Sequence, residues 1–256
     1  MKPVTIDYIK RLKEKESPFA TLTAYDFVSA QILNEAKIPL ILVGDSASMM
    51  IYGYNTTIPI SMEEMLLIVR AVSRASDYSL VVADMPFLSY QPSVEETIQN
   101  AGKLIKEGSA KAVKLEGGTH MFNNILALTK VGIPVLGHVG LTPQSYHQMS
   151  GYKIQGKTSD EASKIIDDAL SVQEAGAFGV VLECIPEPLA TQITHKLSIP
   201  TIGIGSGNTC DGQIQVFHDV LGLQKNSPPK HAMVYNNLYS NILSTIQKYK
   251  NSVETL

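Results

Sequence analysis

The sequence predicts an α/β protein built as a (β/α)8 barrel, on three observations. Short apolar, β-branched runs recur along the chain. Segments with helical periodicity and capping signals lie between many of them. About eight such pairs fit within 256 residues, the usual size of such a barrel. Alternating β and α elements imply a parallel sheet. An open doubly wound sheet is the rival arrangement. No G-x-G-x-x-G follows the first run, so the usual dinucleotide signature is missing.

The expected strands are "FATLTAY" (19–25), "PLILVGDS" (39–46), "SLVVADMP" (79–86), "AVKLEGG" (112–118), "IPVLGHVGL" (133–141), "FGVVLEC" (178–184) and "PTIGIGSG" (200–207). Each is almost continuously apolar, as a strand buried on both faces should be. "SMEEMLLIVRAVSRAS" (61–76) opens with Ser61 and carries Glu64 three residues on, a capping box. "SVEETIQNAGKLIKEG" (93–108) repeats that design with Ser93 and Glu96 and stops at Gly108. "SDEASKIIDDALSVQEAG" (159–176) and "PEPLATQITHKLS" (186–198) are further helices. An eighth unit falls in "GQIQVFHDVLGL" (212–223), which reads equally as strand or helix. "GIGSG" (203–207) suits either a phosphate site or a tight turn that admits a ligand or helix.

At the amino end, "IDYIKRLKEK" places Ile6, Ile9 and Leu12 at helical spacing with charges opposite. A surface helix covering one end of the core is expected. Its mixed charges argue against membrane binding. "LQKNSPPKH" (223–231) is a polar turn before a final helix around 235–249. No linker or low-complexity stretch divides the chain. Residues 1–256 are therefore expected to form a single barrel domain with an N-terminal and a C-terminal helix.

Composition narrows the function classes. Hydrophobic residues make up 44% and charged residues 18%, which leans towards a well-buried core. Net charge is −3, without the basic footprint of a nucleic-acid binder. Cys184 and Cys210 are the only cysteines, and they lack disulfide-framework or metal spacing. The first residues lack an apolar signal core, and no run approaches the roughly 18 apolar residues of a membrane span. A cytoplasmic protein without membrane or nucleic-acid partners is expected.

The charges carry the chemistry. Asp45, Asp84, Glu116 and Glu183 each end an apolar run. All four therefore fall at the carboxyl ends of predicted strands, where barrel active sites lie. For any one of them, a helix cap or a solvated rim position is the plain alternative. Clustered carboxylates repel, and their burial is costly without a partner. A hard cation relieves both costs, and oxygen-only ligands suit Mg²⁺ better than Zn²⁺. Lys114 shares a face with Glu116 by strand periodicity. It is read as a carboxylate holder or as a structural ion-pair partner; acidic surroundings argue against a Schiff-base role. Ser46 is either an anion contact or a cap. His138, on the fifth strand, is either near the site or simply hydrogen-bonded. The loops 46–59 and 142–160 are long for βα turns and mix glycine with aromatic residues. They suit a lid or subunit contacts.

Seven stretches resemble one family. They are "VGDSASMMIYGYNTTIPISMEEML", "ADMPFLSY", "VKLEGG", "GHVGLTPQS", "GYKIQGKT", "LECIP" and "IGIGSGNTCDGQI". In the same order, they resemble the motifs of the ketopantoate hydroxymethyltransferases. The resemblance implies a TIM barrel of the phosphoenolpyruvate/pyruvate type. It implies hydroxymethyl transfer from 5,10-methylenetetrahydrofolate to 3-methyl-2-oxobutanoate through a Mg²⁺-stabilised enolate. It implies Asp45, Asp84 and Glu116 as Mg²⁺ ligands, and Asp45, Ser46, Asp84 and Lys114 as substrate contacts. Glu183 is implied as the proton acceptor, and a large homo-oligomer, a decamer, is implied as the assembly. Two departures stand out: Ala47-Ser48 where the family more often has Leu-Gly, and Ser206 where it more often has alanine. A carbon–carbon lyase of the same superfamily and a barrel reduced to a binding protein are the rival readings.

Overall fold

A computed structural model describes residues 2–256. Eight parallel strands close into a barrel in chain order, β1 to β8. They are β1 Phe19–Thr23, β2 Leu40–Val43, β3 Leu80–Asp84, β4 Ala112–Lys114, β5 Val135–Gly140, β6 Gly179–Glu183, β7 Thr201–Ile204 and β8 Gly212–Gln215. The seven expected runs all form strands. The ambiguous eighth stretch is both things: β8 ends at Gln215 and a short helix begins at Phe217. The open-sheet alternative is excluded by closure.

The helices facing the strands are α1 Ile6–Glu14, α2 Phe27–Glu35, α3 Ala47–Met50, α4 Met62–Arg74, α5 Val94–Lys106, α6 Phe122–Lys130, α7 Ser159–Glu174 and α8 Glu187–Lys196. Ser61 and Glu64 form the full capping box of α4. Ser93 accepts from the Glu96 N–H, but no return bond from the Glu96 side chain is made, so this helix carries half of the expected box. A second full box, unforeseen in the sequence, opens α7 with Thr158 and Glu161.

Side-chain alternation sets what faces the barrel interior. Leu40, Leu80, Val82, Ala112, Leu136, Val181 and Ile202 build one buried cluster. Val4 and Ile9 join it, and Ile6 and Leu12 pack against it. Thus α1 plugs the amino ends of the strands, as its apolar stripe implies. Continuing the same alternation upward puts Asp84, Lys114, Glu116, His138 and Glu183 on the inner face at the carboxyl ends.

The chain divides into two compact units, one running to Ile214 and the other over Gln215–Leu256. In the second unit, α9 Phe217–Leu221 ends at Gly222 in the left-handed region, φ 61°. A Cβ there would lie 2.2 Å from Asn236 O, so only glycine fits. α10 runs over Leu238–Glu254, later than the 235–249 expected, because Asn237 caps it by accepting from Ser240 N–H.

Ile9 has no exposed surface. Truncating it to alanine removes buried carbons and leaves a void. Ile9→Ala is expected to lower stability by about 3 kcal/mol, read as a drop in the urea midpoint. A loss below about 1 kcal/mol would mean that α1 is a loosely applied surface helix.

Candidate active site

Strand pairing assembles the charged cluster. In the β3–β4 register, Asp84 lies opposite Lys114. Lys114 Nζ donates to both Asp84 oxygens, at 2.8 and 2.7 Å. Glu116, two residues on, lies 3.9 Å from Nζ. Lys114 therefore pairs chiefly with Asp84 across the strands and only weakly with Glu116 on its own segment. The structural ion pair and the inward lysine prove to be the same group.

His138 stands on β5 between two carboxylates. Its Nδ1 is 3.4 Å from Glu116 Oε1, and its Nε2 is 3.2 Å from Glu183 Oε2. Burial and the Lys114 charge pull its pKa down. The two glutamates overcome them and hold it at about 9. With an acid facing each ring nitrogen, the doubly protonated ring is the form that suits the site. Glu183 Oε1 takes no hydrogen bond from the described residues. β5 can approach Glu183 this closely because residue 140 is glycine. Its φ is +94°, and a Cβ there would lie 2.4 Å from Glu183 O.

Asp45 and Asp84 are 5% and 1% exposed. Burial raises both carboxyls to about 6, against the pull of Lys114. Lys114 is shifted the other way: burial alone would lower it, but Asp84, Glu116 and Asp45 raise it above its ordinary value. The same acids favour its charged form. The Asp45 N–H donates to Asp84 Oδ2 at 3.2 Å, so the two aspartates are neighbours.

Ser46 begins α3, yet its side chain makes no capping bond. Its hydroxyl instead meets Tyr25 OH at 2.7 Å. The two long loops both reach this rim. Ser48 Oγ donates to Thr56 O at 2.7 Å within the first. Tyr152 of the second donates to Met49 Sδ of the first at 3.9 Å. Burial, Asp45, Tyr146, Glu183 and Glu116 together push the Tyr152 hydroxyl up to about 12.

Three participants escaped the sequence reading: Tyr25, Tyr90 and Gln144. Gln144, 3% exposed, donates from its side chain to Asp45 Oδ2 and from its backbone N–H to Glu116 Oε2, both at 3.0 Å. Tyr90 OH accepts from Glu116 N–H at 3.1 Å. None is charged, and none has a periodic signature. Only the places of Tyr90 in "ADMPFLSY" and Gln144 in "GHVGLTPQS" offered a signal, and Tyr25 had none beyond ending the first strand run. Among the described residues, no three His, Cys, Asp or Glu side chains converge into a ready cage for a metal ion.

A closed parallel barrel with buried acids, a buried lysine and an imidazole at the carboxyl ends of its strands has the architecture of a barrel enzyme. A model of the ketopantoate hydroxymethyltransferase family matches residues 3–256. The 3-methyl-2-oxobutanoate hydroxymethyltransferase of Carboxydothermus hydrogenoformans is 50% identical over 254 residues, covering 99% of this chain and 92% of that one. The protein of the same name from Syntrophus aciditrophicus is 48% identical, covering 98% and 92%. The chain belongs to the ketopantoate hydroxymethyltransferase family. Among solved structures, phosphoenolpyruvate phosphomutase from Streptomyces platensis subsp. rosaceus has a TM-score of 0.66 at 11% identity, covering 98% of this chain and 88% of that one. A 2,3-dimethylmalate lyase of the PEP mutase/isocitrate lyase superfamily has a TM-score of 0.59 at 15% identity, covering 84% and 81%. These likenesses concern the fold, a closed parallel (β/α)8 barrel.

Lys114→Met would leave Asp84 buried and unpaired. A stability loss of about 3–5 kcal/mol is expected, measured by chemical denaturation of the metal-free protein. A variant as stable as the parent would show that Asp84 finds another partner and that Lys114 does not hold the cluster together.

Proposed function

We propose that the protein transfers a hydroxymethyl group from 5,10-methylenetetrahydrofolate to 3-methyl-2-oxobutanoate. One water is consumed, and the products are 2-dehydropantoate and tetrahydrofolate, in the first step of pantothenate biosynthesis. The observation that carries this reading is the charge balance at the rim. Among the described residues, Lys114 and His138 are the cations paired with Asp84, Glu116 and Glu183, and Asp45 has no ion pair of its own. One divalent ion would close that deficit.

The donor set fits Mg²⁺. Every candidate ligand is a carboxylate oxygen. Glu116 Oε1 is buried without a hydrogen-bond partner, with His138 Nδ1 at 3.4 Å and Lys114 Nζ at 3.9 Å as its charge contacts, and Asp45 Oδ1 takes no hydrogen bond from the described residues. Mg²⁺ keeps several positions for water and substrate, so it does not need a closed protein cage. Asp45, Asp84 and Glu116 are assigned to hold it. When bound, Mg²⁺ supplies Lewis-acid polarisation of the 2-oxo acid, which makes its C3 proton easier to remove.

The remaining steps belong to side chains. Lys114 is a permanent cation and attracts the substrate carboxylate, and the Ser46 hydroxyl, anchored by Tyr25, fixes its orientation. Glu183 takes the C3 proton on Oε1, while His138 holds Oε2 and so fixes the plane of the carboxylate. One water releases the folate's methylene carbon at the oxidation level of formaldehyde, both C–N bonds to the folate breaking; C3 of the substrate then bonds to that carbon, the new alkoxide takes back the proton held on Glu183, and tetrahydrofolate leaves. Tyr146 and Tyr152, with ring centroids 5.0 Å apart, close the second loop towards Asp45 and Glu183 and limit water at the rim. The same reading makes the protein a cytoplasmic homo-oligomer, a decamer. No helix of the described residues is long and apolar enough to cross a membrane.

Glu183→Gln should bind 3-methyl-2-oxobutanoate yet lose at least a hundredfold in C3 proton exchange, followed by NMR in deuterated water with Mg²⁺ present. Exchange near the parent rate would remove Glu183 as the base.

The metal assignment has its own pH signature. Asp45 and Asp84 titrate at about 6 in the folded protein, above their ordinary 3.8. Their contribution to stability is therefore complete below 3.8 and is lost as pH rises through about 6. A divalent cation offsets that loss only where the acids are ionised. The Mg²⁺-induced rise in Tm should be clearly larger at about pH 8 than at about pH 5. Equal shifts at the two pH values would rule out these carboxylates as the ligands.

A further inference from the structure

Two carboxylates that must grip the same cation need fixed orientations, and Asp45 and Glu116 leave from different strands. Gln144 supplies the constraint for both. It lies in the turn Pro143–Ser145 that follows β5. Its side-chain Nε2 donates to Asp45 Oδ2 at 3.0 Å and to Met85 O at 2.9 Å. Its backbone N–H donates to Glu116 Oε2 at 3.0 Å. Its Oε1 accepts from Tyr90 OH at 2.7 Å and from Gln91 Nε2 at 3.2 Å.

This network allows one orientation of the amide. Turned over, its oxygen would face a carboxylate and a carbonyl, and its NH₂ would face that of Gln91. Tyr90 has a single proton to give. The short contact assigns that proton to Gln144, while the Tyr90 oxygen accepts from Glu116 N–H at 3.1 Å. Residue 144 thus binds one oxygen of each carboxylate. The other two, Asp45 Oδ1 and Glu116 Oε1, are the oxygens without a hydrogen bond from the described residues.

We propose that Gln144 is the positioning residue of the cation site: its side-chain amide and its backbone N–H each fix one carboxylate, so that the remaining oxygens of Asp45 and Glu116 are presented together. The proposal rests on the assignment of those two residues as ligands. Orienting partners of this kind typically change metal affinity by about 10–100-fold when removed. The gain comes from rotation already frozen before the ion arrives.

The test uses Mn²⁺ as the probe, titrated into the full-length, metal-free protein, with free Mn²⁺ read by electron paramagnetic resonance. Gln144→Met keeps the length of the side chain and removes its amide. Mn²⁺ should bind it about tenfold more weakly. The Mg²⁺ concentration for half-maximal activity should rise in proportion, with kcat at saturating Mg²⁺ close to the parent value. A general structural lesion does the reverse: it lowers kcat with the folded fraction and leaves the affinity of the folded remainder unchanged. Tyr90→Phe, which removes the proton that orients the amide together with the oxygen that accepts from Glu116 N–H, should shift Mn²⁺ affinity in the same direction. It serves where Gln144→Met folds poorly. Asp45→Asn separates the two assignments. If it loses Mn²⁺ binding while both other variants bind as the parent does, the positioning role is overturned and the ligand assignment stands. If it too binds as the parent does, the ligand assignment falls, and the positioning role falls with it.

Discussion

Burying an ammonium group costs several kcal/mol unless its charge is met where it is buried. Lys114 meets that condition through the register of the barrel itself. Because Asp84 lies opposite it in the β3–β4 ladder, the two charges arrive together as a consequence of strand pairing. No loop has to bring them into place. A slip of one residue would turn Lys114 and Glu116 out of the barrel. The apolar residues below them on the same face forbid that slip, since Ala112 and its neighbours would leave the interior too. The hydrophobic core and the charged rim are therefore specified by one register.

Around the rim the signs alternate: Asp84, Lys114, Glu116, His138, Glu183. Each cation lies between two acids, which is why His138 titrates at about 9 although it is buried. Asp45 stands outside the alternation. It contacts Asp84 through its own N–H and has Gln144 as its side-chain partner. It adds a negative charge to the one already in excess in that ring, and its Oδ1, like Glu116 Oε1 and Glu183 Oε1, takes no hydrogen bond from the described residues.

Much of this was legible in the sequence because it depends on period. Seven strands showed as apolar runs. Alternation along them placed Lys114 and Glu116 on one face, and the acids at strand ends marked the rim. What period does not encode is the partner across the sheet. Lys114 and Glu116 look like a pair in "AVKLEGG" because they are two residues apart. The shorter contact is to Asp84, thirty residues away in sequence, and only the register shows it. Gln144 and Tyr90 were hidden for a different reason. They are neutral, lie outside the strands, and act through hydrogen bonds, which leave no trace in hydrophobic pattern or charge. The spacing of Ser93 and Glu96 permits a capping box without compelling one. The eighth strand was ambiguous because only Val216 separates it from a helix, so two periodicities meet with no turn residue between them.

Ser206, one of the two departures from the family's commoner residues, bears on how Glu183 is held. Its hydroxyl donates to Leu182 O at 2.7 Å and accepts from Ile185 N–H at 3.4 Å. These bonds bracket Glu183 and Cys184. Cys184 has φ +48°, a conformation that costs about 1 kcal/mol or more for a residue with a Cβ. The turn persists because its neighbours hold it: Cys184 N–H donates to Ile204 O, and Cys184 O accepts from Gln155 N–H, both at 2.9 Å. Alanine at position 206 would lack the hydroxyl bonds but keep the two backbone ones. The serine is therefore an added brace on a turn that β7 and the loop after β5 already restrain. It stiffens the backbone beneath Glu183 without touching the carboxylate, so this departure leaves the acid–base geometry of the rim intact.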